Sequence, residues 1–458
     1  MDNVTQIAGL AGADVRELRS RIAGDLHVPG DETWDEARQA WNLAVDQRPT
    51  AVVVVEGPAD VAEVVDFARA NGLRVAPQGT GHAASAFDGM QDTILLKTHR
   101  LRGVTIDPEL RIARAEAGAI WIDVVQAAAE HGLAALAGSS PDVGVVGYTL
   151  GGGLSWLARK HGIGANQVTA IELVTADGEF KRVDRDHDPD LFWALRGGGG
   201  SFAVVTAIEF NLFPYDHVYA GILWFPVERA TEVLTAWRAW TEIVPDELTS
   251  VGRIMQFPPL ELFPEPIRGK SFVIVEAIYA GDPVDGEHWI APLRELGPVM
   301  DTIETIPMPA LSRLHMDPEG PAPGVGDGTM LTTFDAEALD AFVANTVGAP
   351  LLSAEVRHLG GAVARPKAEH GALSHFEHEY LTFAVGIAPS PEAAAATEGA
   401  LDRLFAALEP WTADHTYSNF AERNRKPGSF HGEAAYHRLK RIKAKVDPQN
   451  LIRANHEL

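Results

Sequence analysis

The chain has 458 residues, 46% of them hydrophobic, which is enough for a large buried core and for two lobes rather than one. Lys and Arg total 38 against 63 Asp and Glu, a formal charge of −25, and no basic block offsets it, which argues against a nucleic-acid partner because phosphate binding needs a cationic face. There is no cysteine, so disulfides, thiolate metal sites and thiol nucleophiles are excluded together.

The N-terminus, Met1-Asp2-Asn3-Val4, lacks a basic stretch followed by an apolar run, and no stretch of about 18 apolar residues occurs anywhere, so a cytoplasmic protein without a membrane partner is expected. The first third alternates strands and helices, an α/β texture. Val52–Val55 is a β-branched run, and Val61, Val64, Val65 and Ala68 at helical spacing mark the next helix, stopped by Asn71-Gly72. A strand at Arg74–Pro77 leads into the glycine turn Gln78-Gly79-Thr80-Gly81-His82. Strands at Ile94–Lys97 and Ile112–Glu116 follow, then a helix from Trp121 to about His131 with Gly132 as its stop.

From Tyr215 to about Glu409 the texture changes. Strands are predicted at Gly221–Phe225, Ser271–Tyr279 and Glu379–Ile387, the last read back to His375 when its faces are assigned, between helical stretches and proline-rich loops at Phe257–Pro266 and Pro307–Gly328 that shape a substrate entrance or merely connect. The alanine-rich segment near Ala393–Ala400 reads as a surface helix. The tail carries Tyr417-Ser418-Asn419-Phe420, a basic amphipathic helix over Glu433–Lys445, and Asp447-Pro448.

Three glycine clusters, Gly79–Gly81, Gly147–Gly153 and Gly197–Gly200, lie within little more than a hundred residues. Each lets backbone amides approach a ligand with no Cβ in the way; one alone is a turn, but three together imply a large bound cofactor. Gly147–Gly153 lacks the Lys-Ser/Thr end of a P-loop, and Ala84 stands where the dinucleotide fingerprint needs its third glycine. FAD in a different architecture survives both tests.

Pro77–His82, Gly138-Ser139-Ser140-Pro141-Asp142-Val143-Gly144 through Gly147, Leu150–Gly153, Leu191–Gly199 and Val446–Leu451, in this order, resemble the FAD-linked oxidases of the vanillyl-alcohol oxidase type. Within these the match is to the berberine-bridge-enzyme-like branch, similar to 6-hydroxynicotine oxidases, over nearly the whole chain. The resemblance implies an α+β fold: a PCMH-type FAD-binding domain of two α/β subdomains plus a substrate domain with an antiparallel sheet flanked by helices. The expected boundaries are 1–214 for the FAD domain, 215–410 for the substrate domain and 411–458 for a segment returning to the first.

The resemblance further implies FAD bonded covalently through His82, a chemistry that suits a neutral imidazole. The second, cysteinyl link of many relatives falls here on Ser140, so the flavin is monocovalent. Cofactor contacts are implied at Gln78, Gly79, Thr80, Gly81 and Ala83; at Ser139, Ser140, Pro141, Val143 and Gly144; at Gly147, Tyr148, Gly151, Gly152 and Gly153; and at Gly200, Val204, Val205 and Asn419. Val143 resembles the residue bordering the oxygen side in oxygen-using members.

Tyr417–Phe420 looks like the family's Tyr-x-Asn-Tyr segment with its second tyrosine replaced by Phe420, which cannot act as a base. Tyr417 is therefore the candidate base. His378 and Tyr380, on one face of a strand with period-two alternation, are candidate catalytic pocket residues, with Arg357 and His358 as further pocket candidates. His375 and His378 point to opposite faces, so no metal site is expected. The expected activity is oxidation of a CH–OH or CH–NH group of a small molecule, with O₂ reduced to H₂O₂, by a monomer or homodimer. A dehydrogenase using another acceptor and a redox-idle flavin-binding protein or cyclase remain alternatives.

Overall fold

A computed structural model of the chain describes residues 15–87, 89–261, 263–426 and 428–458. The reading of Met1–Val4 lies outside them, as does Leu262 in the first proline-rich loop.

Ala51–Val54, Thr93–Lys97 and Arg74–Gln78 form three parallel strands of a four-stranded sheet, with Asp25–His27 antiparallel on its edge. All four residues of Ala51–Val54 are buried, as expected of a β-branched strand with a covered face on each side. Helix Pro58–Ala70 makes the crossover. Pro58 opens it where no amide partner is needed, Val61, Val64, Val65 and Ala68 bury one stripe, and Gly72 leaves it at φ +67°. The second sheet is antiparallel, in the order Val104–Asp107, Ile112–Glu116, Val204–Asn211, Val168–Val174, Phe180–Asp184. One apolar core runs between these two sheets and their helices.

The third sheet is eight-stranded and antiparallel, with His217–Pro226, Ser271–Tyr279, Leu248–Gln256, Ser353–His358, Tyr380–Ile387 and Gly324–Leu331 as its main strands. Its alternation sorts residues between two covered faces. Leu223, Val275, Ala354, Val356, Tyr380 and Ala384 pack beneath helices Ala230–Thr241, Ala336–Thr346 and Pro391–Leu408. Ser353, Glu355, Arg357, Phe383 and Val385 face the other way, onto a cavity shared with the first lobe. Helix Pro391–Leu408 is more than a surface helix: Ser390 caps it and Thr397, Ala400, Leu401, Leu404 and Leu408 form a buried stripe.

Two predicted elements are corrected. The strand expected from His375 begins at Tyr380, so no alternation places His378 on a strand face. The loop expected over Pro307–Gly328 gives way to a strand at Gly324, where ladder bonds to Tyr380–Ile387 outweigh the glycine content.

The tail returns to the first lobe. Val75 donates to the Leu451 carbonyl (2.8 Å) and accepts from Arg453 N (2.9 Å), so the terminal segment pairs with the strand that feeds the glycine turn. Asp447 fixes this arrangement. Its buried carboxylate accepts from Leu451 N and Ile452 N, both 2.8 Å, and pairs with Lys443 at 2.6 Å. Among the described residues, no helix is long and apolar enough to cross a membrane.

Asp447→Ala strands a buried ammonium and two amides, and is expected to cost about 3 kcal/mol or more of unfolding free energy. Urea denaturation of the two proteins checks this, and a loss below about 1 kcal/mol would contradict it.

Candidate functional site

A cavity of about 410 Å³ lies between the lobes. One wall is built from backbone. The turn after strand Arg74–Gln78 passes through Gly81 at φ +90°, and the amides of Thr80, Gly81, His82 and Ala83 have no acceptor among the described residues. Consecutive free amides of this kind form a nest for an anion such as a diphosphate.

Three groups hold the His82 ring. Thr80 Oγ1 lies 2.7 Å from Nδ1, the indole of Trp41 stacks on the ring at 4.0 Å, and Asp142 Oδ1 stands 3.5 Å from Nε2. Nε2 itself is buried without a hydrogen-bond partner. Asp142 also accepts from the Trp41 indole (2.6 Å) and the Gly320 amide (2.8 Å). Although burial presses its pKa upward, the nearby His82 ring and the hydrogen bonds from Gly320 and Trp41 hold it below the ordinary carboxylate value.

The second glycine cluster continues this wall. A Cβ on Gly147 would meet nothing within 4 Å, so the cavity reaches the backbone there. At Gly151 a Cβ would stand 1.8 Å from Asn419 Oδ1, because the 417–420 loop is clasped onto this turn. Asn419 Nδ2 donates to the Tyr148 carbonyl (2.9 Å) and Ser418 Oγ to the Gly151 carbonyl (3.1 Å).

The opposite wall is ionic. Glu276 and Glu355 accept from the two nitrogens of His315, at 2.7 and 2.8 Å. Arg253 bonds Ser353 Oγ (2.6 Å) and Glu276 (3.3 Å), and Arg357 Nε bonds Glu355 at 2.6 Å. Burial and Arg253 oppose charge on His315, but Glu276, Asp317 and Glu355 outweigh them and hold its pKa up to about 9. These carboxylates favour the charged imidazolium over the neutral ring that a base would need. Arg357 also reaches the first wall, donating to Ser139 Oγ at 3.3 Å, while Asp317 accepts from Ser139 and Ser140.

Many of the expected cofactor residues meet at this cavity. Gln78 through Ala83, Ser139, Ser140, Val143, Gly144, Gly147, Tyr148, Gly151, Gly200, Val205 and Asn419 all line it. Four do not. Val204 is buried in the core of the first lobe, Pro141 gives its carbonyl to Ile122 N, and Gly152 and Gly153 turn away at φ +125° and +83°.

The catalytic candidates are rearranged. Tyr417 lines the cavity, but its hydroxyl oxygen accepts from Gly153 N and Leu154 N (both 3.1 Å) and from Asn419 Nδ2 (2.8 Å). Burial pushes its pKa up to about 12 despite these bonds. Tyr380 lies on the helix side of the sheet, its hydroxyl 2.9 Å from Thr241 Oγ1, and His378 sits in the turn before that strand; neither lines the cavity. His358 accepts from Arg159 Nη1 (3.0 Å), and burial holds it neutral. Of the sheet candidates named from sequence, only Arg357 reaches the cavity.

Trp41, Asp142, Arg253, Glu276, His315, Asp317, Glu355 and Glu422 had no role assigned from sequence. A signal existed for one of them: Glu276 is a lone carboxylate in the otherwise apolar run Phe272–Tyr279.

The cavity is thus lined by glycine-rich backbone on one side and by fixed charges on the other. Residues 49–184 match the family model for the FAD-binding domain, and residues 416–457 the one for berberine and berberine-like proteins. An uncharacterized FAD-linked oxidoreductase, YgaK of Bacillus subtilis, is 25% identical over 95% of this chain and 96% of its own. The (R)-6-hydroxynicotine oxidase of Paenarthrobacter nicotinovorans is 34% identical over 47% of this chain and 48% of its own. The crystal structure of 6-hydroxy-D-nicotine oxidase from Arthrobacter nicotinovorans superposes with a TM-score of 0.83 over 94% of this chain and 97% of that one, at 24% identity. The chain is therefore an FAD-linked oxidoreductase that carries an FAD-binding domain and, towards its C-terminus, a segment similar to that of berberine-like proteins.

Gly147→Val is expected to leave far-UV circular dichroism unchanged while the purified protein loses its flavin absorbance. Retention of a full flavin complement would mean that the cofactor does not approach this wall.

Proposed function

We propose that the protein is an oxidase that carries FAD on a single covalent bond to His82 and oxidises a CH–OH or CH–NH group of a small organic molecule. The observation that carries this reading is the His82 ring itself, which lines the cavity and is held on one face by Trp41 and at Nδ1 by Thr80, with Nε2 buried beside Asp142 and without a hydrogen-bond partner. FAD bound there would supply the two-electron acceptor for this oxidation, with O₂ as the final oxidant and H₂O₂ as its product. The small side chain of Val143 on the cavity wall suits access of O₂.

The chain's own residues bind and orient. Thr80–Ala83 present amides to the diphosphate, and Asn419 holds its loop against the Tyr148 carbonyl. The ionic wall of Arg357 and Glu355 orients a polar substrate, and its fixed charges need no rearrangement during the reaction. Phe420 lies 4.8 Å from the Arg357 guanidinium and supplies an apolar surface there.

Tyr417 holds its loop to the glycine turn through the amides of Gly153 and Leu154, so the substrate proton passes instead to Glu422. This carboxylate lines the cavity and accepts from the Gly326 amide through Oε2 (3.1 Å). Burial, reinforced by the charge of Asp327, pushes its pKa up to about 7, which suits a base working near neutrality.

Three measurements test this function. Acid-precipitated wild-type protein is expected to retain its yellow colour while His82→Ala releases it; release from the wild type would remove the covalent link. With an oxidised substrate in hand, kcat/KM is expected to rise with pH through about 7, as Glu422 becomes deprotonated. Glu422→Gln is expected to lose that limb and about a hundredfold or more in rate. An unchanged profile in the variant would exclude Glu422. Reduced protein that persists in air would point to an acceptor other than O₂.

A further inference from the structure

Beneath the glycine turn the structure buries a cation with no carboxylate partner among the described residues. Lys97 ends the strand Thr93–Lys97 and is 5% exposed. Its ammonium donates to the Gln39 carbonyl (2.7 Å) and to Gln78 Oε1 (2.6 Å), both uncharged acceptors. Burial alone lowers its pKa, to about 8, with no carboxylate among the described residues contributing. An ammonium out of water and without an opposite charge is held at a cost, which falls when an anion arrives.

The position of that anion follows from the contacts. Gln78 opens the turn, and its amide is fixed at both ends: Oε1 accepts from Lys97, and Nε2 donates to Gln47 Oε1 (2.9 Å). Gly81 packs directly on it, so that a Cβ there would stand 3.1 Å from Gln78 Cδ and 3.0 Å from Ala40 Cβ. Ammonium, Gln78 amide and Gly81 backbone are thus in continuous contact. The same turn carries the four acceptor-free amides of Thr80 to Ala83, and Gln78 itself lines the cavity.

We infer that Lys97 is a positioning residue for the FAD diphosphate: from behind the turn it provides the positive charge that the amide nest lacks, and it fixes Gln78, on which Gly81 rests. It does not touch the cofactor and takes no part in the redox step. The inference rests on FAD binding at this turn and is independent of the covalent bond to His82.

The test uses the full chain carrying His82→Ala, which binds flavin reversibly whether or not the wild type is covalent. Binding of FAD and of riboflavin, which has no phosphate, is followed by flavin fluorescence with and without Lys97→Met. Removal of the charge is expected to raise the Kd for FAD tenfold or more, to change that for riboflavin less than twofold, and to leave the flavin-free protein melting no lower than its parent. Added salt is expected to weaken FAD binding more in the parent than in the variant.

Gln78→Glu is a second variant that places a carboxylate beside the ammonium and cancels its field. It is expected to raise the melting temperature of the flavin-free protein while weakening FAD, and not riboflavin. Equal weakening of both flavins would show that Lys97 only shapes the turn, and unchanged FAD affinity in both variants would overturn the inference. Should the His82→Ala parent itself bind no flavin, the FAD assignment at this turn would fail, a result separable from the other two.

Discussion

Arg357 joins the two halves of the cavity. Its Nε is held by Glu355 on the same strand, its Nη2 reaches Ser139 on the first lobe, and its guanidinium lies over Phe420 of the C-terminal loop. A cation in this place needs carboxylates around it, and those carboxylates in turn need further donors. The ionic wall follows: Glu355 shares His315 with Glu276, and Glu276 shares Arg253 with the rest of the sheet. Removing any one partner leaves a buried charge uncompensated, a loss of about 3–5 kcal/mol, so the cluster stands or falls as a unit.

This constraint separates the roles of the two lobes. The first lines the cavity with backbone: glycines bring amides close, and the neighbouring side chains, Thr80, Trp41 and Asp142, orient one imidazole. The second lines it with fixed charge on a sheet whose opposite face is packed beneath helices. The C-terminal segment ties the two together. Its tail pairs with the strand feeding the glycine turn, while its 417–420 loop is clasped to the second glycine cluster.

The parts legible in the sequence were those set by local chemistry. Gln78–His82 and Gly147–Gly151 could be read because close backbone approach demands glycine, and Ala51–Val54 and Ser271–Tyr279 because largely apolar runs make strands. The rest depended on which face a residue takes and what lies across from it. A shift in where one strand begins removed the warrant for His378, and Tyr380 proved to belong to the helix-side core although its neighbour Leu381 points the other way. Tyr417 stands beside the cavity as expected, but no motif reveals that two backbone amides already occupy its hydroxyl. Trp41 and His82, or Glu276 and His315, are distant in sequence and ordinary alone. Their chemistry exists only once the fold brings them together.

The most direct test of the account is the electron density of the purified, coloured protein. The account predicts a flavin ring between the backbone wall of Ser139–Gly147 and the ionic wall of Glu355 and Arg357, its diphosphate on the amides of Thr80–Ala83 and its benzenoid edge bonded to His82. A flavin lying elsewhere, or one whose ring is shielded from Arg357 and Glu422 so that no substrate fits between, would contradict it.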